Sequence, residues 1–301
     1  MATIKQRLQI LKKSLENSFY VETIIKKLLT VQKYHEYAFE CDTGNSICNA
    51  DNNIVVSLTT YSKRIHEVYL TIESLIHQTI KPSKIILWLA QDEFNEKNIP
   101  LILQKQKKRG LEIRFCEDIK SYKKLIPALK IMPDTAIITV DDDYIYPADF
   151  VERLINMHRQ YPNCVCYYIG SRITIDKKGK PKPYCKWEHS DKEYIPSLMN
   201  FATGAGGILY PPHCFHNDIT NTSLFMKYTP KADDIWFKIM TFRKNIKYVK
   251  TPIECPFENK FILLNNVQDI ALYHSNVARG ENDKQIKTVC EAYRLNFKDI
   301  E

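Results

Sequence analysis

Three adjacent carboxylates, Asp141, Asp142 and Asp143, follow the most apolar stretch of the chain, residues 135–140. Like charges at this spacing repel one another, so the cluster destabilises a fold unless a cation lies close by. Hard divalent cations such as Mg²⁺ and Mn²⁺ prefer oxygen ligands and commonly share them with substrate phosphates. The cluster therefore indicates a metal site that binds a diphosphate. An acidic turn or a helix cap uses the same residue types and is the alternative.

A second polar segment follows the apolar run 54–58 and contains Thr59, Tyr61 and Arg64. A tyrosine ring can pack against a nucleotide base, and an arginine can pair with a diphosphate through two parallel hydrogen bonds. The segment is predicted to bind a nucleotide. An ordinary turn with a solvated Arg64 is the alternative.

Residues 203–212 contain three of only eight glycines, and Asp233 and Asp234 stand at the start of a predicted helix. Glycine permits close backbone approach and positive φ, but no Gly-Lys-Ser/Thr follows, so the segment is not a Walker loop. A hairpin is the structural alternative for the glycines, and helix capping is the alternative for the acidic pair.

Short β-rich runs alternate with helical patterns from residue 54 to residue 140. The runs cover 54–58, 84–89, 111–115 and 135–140, and the helical patterns cover 65–76, 95–109 and 121–131. This alternation predicts an α/β fold with a mostly parallel, Rossmann-like sheet flanked by helices. Ligands bind at the carboxyl ends of such strands, so the loops after Leu58 and Val140 are predicted to form the binding site.

Residues 1–38 are predicted to be helical because apolar residues recur at helical spacing among lysines. We divide the chain into an N-terminal helical extension with a linker, 1–50, and a catalytic domain, 51–301. The apolar stripe, which includes Ile24, Ile25, Leu28 and Leu29, favours packing on the domain or a partner. A basic amphipathic helix lying on a membrane is the alternative.

The formal net charge of +8 is compatible with nucleic acid, an anionic membrane or a phosphorylated substrate. No nucleic-acid-binding motif is present, so no nucleic-acid partner is expected. The nine cysteines form no Cys-x-x-Cys pair, and no stretch approaches the roughly 20 apolar residues of a membrane span. These features favour a cytoplasmic protein, with peripheral contact to the inner face of the cytoplasmic membrane as an open alternative.

Several ordered motifs resemble those of GT-A glycosyltransferases, in particular a bacterial, family-2-like subset. Val140-Asp-Asp-Asp-Tyr144 resembles the DxD motif, and residues 56–65 resemble the first strand and nucleotide loop. Residues 78–88 resemble the second strand with its preceding turn. The resemblance covers about residues 54–283, and it implies a GT-A fold.

The resemblance also implies roles for individual residues. Asp141, Asp143 and His274 would bind Mn²⁺ or Mg²⁺, with Asp142 nearer the ribose or sugar. Asp233 or Asp234 would be the general base. Aligning this segment with the family's motif by the acidic pair or by the following Ile-Trp-Phe gives results that differ by one position, and we favour Asp234. The donor nucleotide-sugar would contact Thr59, Tyr61, Arg64, Lys124, Asp141, Asp142, Gly206, Gly207 and Arg279. For Lys124 alone, a solvated lysine is the favoured interpretation.

The resulting hypothesis is a metal-dependent glycosyltransferase that uses a UDP-sugar donor and a glycan or lipid-linked glycan acceptor. Such an enzyme would serve bacterial surface polysaccharide biosynthesis, as in capsule or lipopolysaccharide, with inversion favoured over retention. A sugar nucleotidyltransferase is an alternative, but residues 57–66 lack the glycines of its phosphate loop. A non-catalytic nucleotide-binding protein is the other alternative. The sugar, the acceptor and the linkage cannot be deduced from the sequence.

Overall fold

A computed structural model describes residues 4–40, 48–49, 53–264 and 280–298, and within the first helix it describes side chains from residue 21 to residue 39. The predicted α/β fold is confirmed, since a mostly parallel, Rossmann-like central sheet is flanked by helices. The central sheet contains β1 (Ile54–Thr59), β2 (Lys84–Ala90), β3 (Glu112–Cys116), β4 (Ala136–Thr139), β6 (Val165–Tyr167), β9 (Ile208–Tyr210) and β10 (Tyr248–Lys250).

The strands of this sheet lie in the order β10-β6-β9-β4-β1-β2-β3. All neighbouring strands run parallel except for β9, which is antiparallel to both β4 and β6. Two small antiparallel sheets lie outside it. They pair β5 (Tyr144–Ile145) with β11 (Ile262–Leu263), and β7 (Gly170–Arg172) with β8 (Asn200–Ala202).

The strands of the sheet centre are buried on both faces, because helices cover both sides. Val55 and Ile137 belong to one apolar cluster, and their neighbours Val56 and Ile138 belong to the other. The described α-helices are α1 (Ile4–Glu40), α2 (Val68–Ile76), α3 (Leu101–Arg109), α4 (Ile126–Ile131), α5 (Phe150–Gln160), α6 (Thr222–Tyr228), α7 (Asp233–Phe242), α8 (Phe257–Lys260) and α9 (Glu281–Ala292).

Two predicted helices are shorter in the structure. The pattern at 95–109 becomes helical only at Leu101, after Pro100. The pattern at 121–131 divides into a 3₁₀ turn, Lys120–Lys124, followed by α4, which has a proline in its first turn. The 3₁₀ turn matters for the site because it buries both Lys123 and Lys124.

Helix α1 packs on the domain through its C-terminal end. Tyr34 is buried in a small cluster with Leu70 of α2, Ile145 of β5 and Leu264. By contrast, Ile24, Ile25, Leu28 and Leu29 are exposed. These four residues therefore do not pack on the domain, and packing on a partner stays a prediction. No described helix is both long and apolar enough to span a membrane.

Candidate active site

A cavity of about 860 Å³ opens where β1 and β4 end, as the rule for parallel sheets predicts. Its volume lies in the usual range for sites that bind small molecules. The loops after both strands contribute to its wall, and so do β8, the start of α7 and the residue after the start of α9. The charged lining residues are Arg64, Glu93, Asp118, Lys120, Lys123, Lys124, Asp141, Asp142, Asp143, Lys231, Asp233 and Asp234.

The loop after β1 contributes Thr59, Tyr61 and Arg64 to the cavity wall. The Thr59 hydroxyl donates a hydrogen bond to the Trp88 carbonyl on β2 at 2.8 Å, which fixes the loop to the neighbouring strand. The Arg64 guanidinium lies 5.4 Å from the Tyr61 ring centre. Arg64 is only 6% exposed, so the alternative of a solvated arginine is wrong.

Arg64 neutralises two carboxylates of the aspartate cluster. Its Nη1 donates to Asp142 at 2.5 Å and to Asp143 at 3.1 Å. The Thr60 hydroxyl donates to the other oxygen of Asp142 at 2.6 Å. Burial raises the pKa of Asp142 to about 6, although Arg64 opposes this shift. Asp142 is thus held inside the protein by Arg64 and Thr60.

Lys124 lies at the centre of a second charged group. Its Nζ is 2.9 Å from Asp233 and 3.0 Å from Asp141, and 4.0 Å from Asp234. Lys124 is 5% exposed, so the favoured interpretation of a solvated lysine is wrong. Burial alone would lower the pKa of this lysine, but the surrounding carboxylates outweigh burial and raise it. The ammonium therefore stays charged and connects the aspartate cluster with the acidic pair of α7.

The two aspartates at the start of α7 have different environments. Asp233 pairs with Lys124 and accepts a hydrogen bond from the Ser121 hydroxyl at 2.9 Å. Asp234 accepts one from the Gly204 backbone N–H at 2.9 Å, and its side chain is more exposed, at 22% against 10%. Burial raises the pKa of Asp234 to about 7, assisted by the charges of Asp233 and Asp141 and opposed by Lys124. This carboxylate is thus the more accessible of the two and has the pKa of a proton acceptor at neutral pH.

The glycine segment contacts the site at a different residue from those predicted. A Cβ atom at Gly204 would lie 2.7 Å from Lys124 Nζ and 3.2 Å from an Asp234 oxygen. At Gly206 it would instead meet Ile169 and Tyr168, and at Gly207, where φ is +79°, it would meet Phe150. The Cβ positions of Gly206 and Gly207 therefore face the packed interior, whereas that of Gly204 faces Lys124 and Asp234. The donor contact of Gly206 and Gly207 stays a prediction.

The carboxylates fit a divalent cation only if phosphate oxygens complete its shell. Within the described residues, no group of three His, Cys, Asp or Glu side chains is arranged to hold a metal. Asp141 and Asp143 both line the cavity, and Mg²⁺ in nucleotide sites commonly binds one or two carboxylates plus phosphates. The predicted third ligand, His274, and the predicted donor contact Arg279 lie outside the described residues.

Part of the remaining wall is aromatic. Tyr184 and Phe201 meet edge to face, with ring centres 5.8 Å apart, and both line the cavity. The Tyr184 backbone N–H donates to Asp283 at 2.6 Å, which ties this wall to α9. Aromatic rings of this kind offer the apolar faces against which sugar rings pack.

Sequence reasoning missed three contributors: Thr60, Ser121 and Gly204. Thr60 could have been found, because it lies between two residues that were selected for following β1. Ser121 contacts Asp233, more than 100 residues away along the chain. Gly204 contacts Asp234, about 30 residues away. Such contacts depend on the folded topology and leave no local signal.

Comparisons with known proteins add little about activity. No family model matches the chain, and no curated protein matches it. Among solved structures, it is similar to CMP:2-keto-3-deoxy-manno-octonic acid synthetase complexed with CTP, with 12% identity and a TM-score of 0.39. The match covers 66% of this chain and 88% of that chain. A likeness at this level does not establish a shared activity.

Proposed function

We propose that this chain is a metal-dependent glycosyltransferase of the GT-A type. It would transfer a sugar from a nucleoside diphosphate sugar, with UDP as the favoured nucleotide, to a glycan or lipid-linked glycan acceptor. One observation carries the proposal: Asp234, a carboxylate with a pKa of about 7, shares a cavity with the Asp141–Asp143 cluster, and Lys124 contacts both groups.

The nucleotide end of the donor is proposed to bind between the loop after β1 and the aspartate cluster. Tyr61 offers a ring face for the base, and Arg64 offers guanidinium donors to the diphosphate. Arg64 pairs with Asp142 and Asp143 in the structure described here. A diphosphate would compete with these carboxylates for the guanidinium, so donor binding is expected to rearrange this pair.

Asp141 and Asp143 would hold Mg²⁺ or Mn²⁺ together with the diphosphate. When bound, the cation supplies charge neutralisation for the departing nucleoside diphosphate. Lys124 keeps a positive charge close to Asp141 and offsets part of the negative charge on this side of the cavity.

The acceptor hydroxyl would attack the anomeric carbon from the side of Asp234. The new carbon–oxygen bond forms as the bond from the anomeric carbon to the phosphate oxygen breaks, and its electron pair leaves with the diphosphate. The hydroxyl proton passes to Asp234. A single displacement of this kind inverts the anomeric configuration, and the backbone N–H of Gly204 keeps the base oriented.

Acceptor binding is assigned to the aromatic part of the wall. Tyr184 and Phe201 would pack against sugar rings, and Asn282 supplies polar contacts from α9. An enzyme of this type would fit bacterial surface polysaccharide assembly, because its acceptor is a growing glycan.

A sugar nucleotidyltransferase is the competing function, because a nucleotide, a cation and a base also serve that reaction. It would break the bond between the α- and β-phosphates of a nucleoside triphosphate and release pyrophosphate. The loop after β1 contains no glycine between residues 57 and 66, which argues against a backbone cradle for a triphosphate.

Product analysis separates the two functions. The full chain with Mn²⁺ is incubated in parallel with UDP-sugars and with nucleoside triphosphates plus free sugars. Release of UDP from a UDP-sugar supports glycosyl transfer. Release of pyrophosphate, with UDP-sugars left intact, would replace the proposal with nucleotidyl transfer.

A further inference from the structure

An exposed apolar stripe runs along α1, away from the candidate active site. It consists of Val21, Ile24, Ile25, Leu28 and Leu29, whose exposed fractions range from 39% to 64%. The spacing i, i+3, i+4, i+7, i+8 places all five on one face of the helix. We call this set the α1 stripe.

Exposed apolar surface is concentrated on α1, which has six of the eleven exposed large apolar side chains in the described part of the chain. Five of these six form the stripe. Single exposed apolar residues need no explanation, whereas a contiguous patch commonly marks a binding surface. The domain contact of α1 lies elsewhere on the helix, at Tyr34 and Ala38. The stripe is therefore available to another partner while α1 stays docked.

The charges around the stripe indicate the kind of partner. At about 100° per residue, Lys33 follows one edge of the stripe. Lys26 and Lys27 lie further round the helix, toward the domain, and Lys26 pairs with the exposed Glu22 at 2.7 Å. The whole of α1 contains seven Lys and Arg residues against four Glu residues, and the chain has a net charge of +8. Lysines at the edges of an apolar face can extend their ammonium groups to anionic headgroups while the face enters the acyl boundary.

A second copy of the chain is a poorer occupant. Pairing two α1 helices would bring two net positive charges together, which opposes association. A fully exposed side chain of this size has roughly 100 Å² of apolar surface, so the five partly exposed side chains of the stripe offer on the order of 300 Å². A stable protein interface needs about 800 Å² from each partner.

We propose that the α1 stripe is a docking surface for an anionic membrane, so that the chain binds lipid peripherally. Helix α1 packs through Tyr34 on Ile145 of β5 and on Leu264, next to β11. Strands β5 and β11 also contribute Tyr144 and Leu263 to the wall of the cavity. The strands that contact α1 thus also contribute to the cavity wall. The proposal does not depend on which reaction the cavity performs.

Vesicle flotation of the full chain tests the proposal. We expect flotation with vesicles of equal phosphatidylglycerol and phosphatidylcholine, weaker flotation with phosphatidylcholine alone, and a further decrease at high salt. The double change Leu28→Asp and Leu29→Asp should lower partitioning at least about tenfold, because it removes apolar area and adds negative charge.

The matched control is Ile195→Asp, because Ile195 and Leu29 are both 64% exposed and Ile195 lies outside α1. This variant should float like the wild type. Both variants alter exposed side chains, so unchanged thermal unfolding midpoints verify that they fold.

Four results would overturn the proposal or its requirement for anionic lipid. The wild type could fail to float with anionic vesicles, or the double variant could float as well as the wild type. Sedimentation without lipid could also show a wild-type dimer that the double variant converts to a monomer, which would assign the stripe to self-association instead. Equal flotation with phosphatidylcholine alone would overturn the requirement for anionic lipid.

Discussion

The backbone N–H of Gly204 donates a hydrogen bond to a carboxylate oxygen of Asp234 at 2.9 Å. This bond ties the glycine segment after β8 to the first turn of α7, two elements that are about 30 residues apart in the chain. It holds Asp234 at the cavity wall, while the neighbouring Asp233 is occupied by Ser121 and Lys124. The two adjacent aspartates therefore have separate environments: Asp233 contacts Lys124, while Asp234 is left for its proposed role as base.

Activity is predicted to fall on acidification. Burial, Asp233 and Asp141 raise the pKa of Asp234 to about 7, and a general base is active only when deprotonated. Because protonation removes the active form, kcat/KM should be constant above this pKa and should fall about tenfold per pH unit below it. Steady-state rates across the neutral range provide the measurement. A profile that is flat, or that rises toward acid, would contradict the role of Asp234.

Binding of UDP is predicted to depend on a divalent cation and on Asp143. Calorimetry should show that removing Mn²⁺ with a chelator weakens UDP binding at least about tenfold, since one charged contact to phosphate is worth more than ~1.4 kcal/mol. The variant Asp143→Ala should lose most of this cation dependence. Asp118→Ala is the control, because Asp118 also lines the cavity but pairs with Lys123. Equal Mn²⁺-dependent binding by Asp143→Ala and wild type would show that the metal assignment is wrong.

Lys124→Met should destabilise the fold. The change leaves Asp141, Asp233 and Asp234 without the buried cation that lies between them. Removing one partner of a buried ionic group typically costs about 3–5 kcal/mol. Urea unfolding should show this loss in the free energy of unfolding, whereas Lys130→Met, at an exposed position of α4, should stay within ~0.5 kcal/mol. Similar stabilities for the two variants would indicate that Lys124 is not the centre of the charged group.

Glu73→Ala tests a charged group away from the cavity. Glu73 is fully buried in α2 and accepts hydrogen bonds from Arg109 at 2.9 and 3.1 Å and from Gln106 at 2.8 Å. Its removal leaves Arg109 without its partner and should cost about 3 kcal/mol. The exposed pair of Glu22 and Lys26 is the comparison, and Glu22→Ala should cost less than ~0.5 kcal/mol.

The contribution of Glu73 to stability also has a predicted pH dependence. Burial raises the pKa of Glu73, but hydrogen bonds from His77, Arg109 and Gln106 outweigh burial and lower it below the usual 4.5. The stabilisation is therefore complete above the unfolded-state pKa and is lost as the pH falls through the lower folded-state pKa. The stability difference between wild type and Glu73→Ala should shrink on acidification. A difference that grows toward acid would contradict this sign.

Four of the seven strands of the central sheet, β1, β2, β3 and β4, were predictable from the sequence because they are short, buried, β-rich runs. The aspartate cluster and the β1 loop were also identifiable, since both directly follow strands. The burial of Lys124 was not predictable, because a lysine in a 3₁₀ turn has no local signal for burial. It was likewise not predictable that Gly204, and not Gly206 or Gly207, faces the carboxylates of other elements, because this depends on the folded topology. Helical periodicity identified the apolar face of α1 but not what that face contacts.

Release of UDP from a panel of UDP-sugars, measured in parallel for wild type and Asp234→Asn with Mn²⁺ present, tests the proposed function most directly. The wild type should release UDP from at least one UDP-sugar. The rate of release by Asp234→Asn should be at least about 100-fold lower, as expected for loss of a general base. The variant should retain wild-type affinity for UDP, which shows that its site is intact. No release from any UDP-sugar by the wild type, or equal rates for the two proteins, would contradict glycosyl transfer with Asp234 as the base.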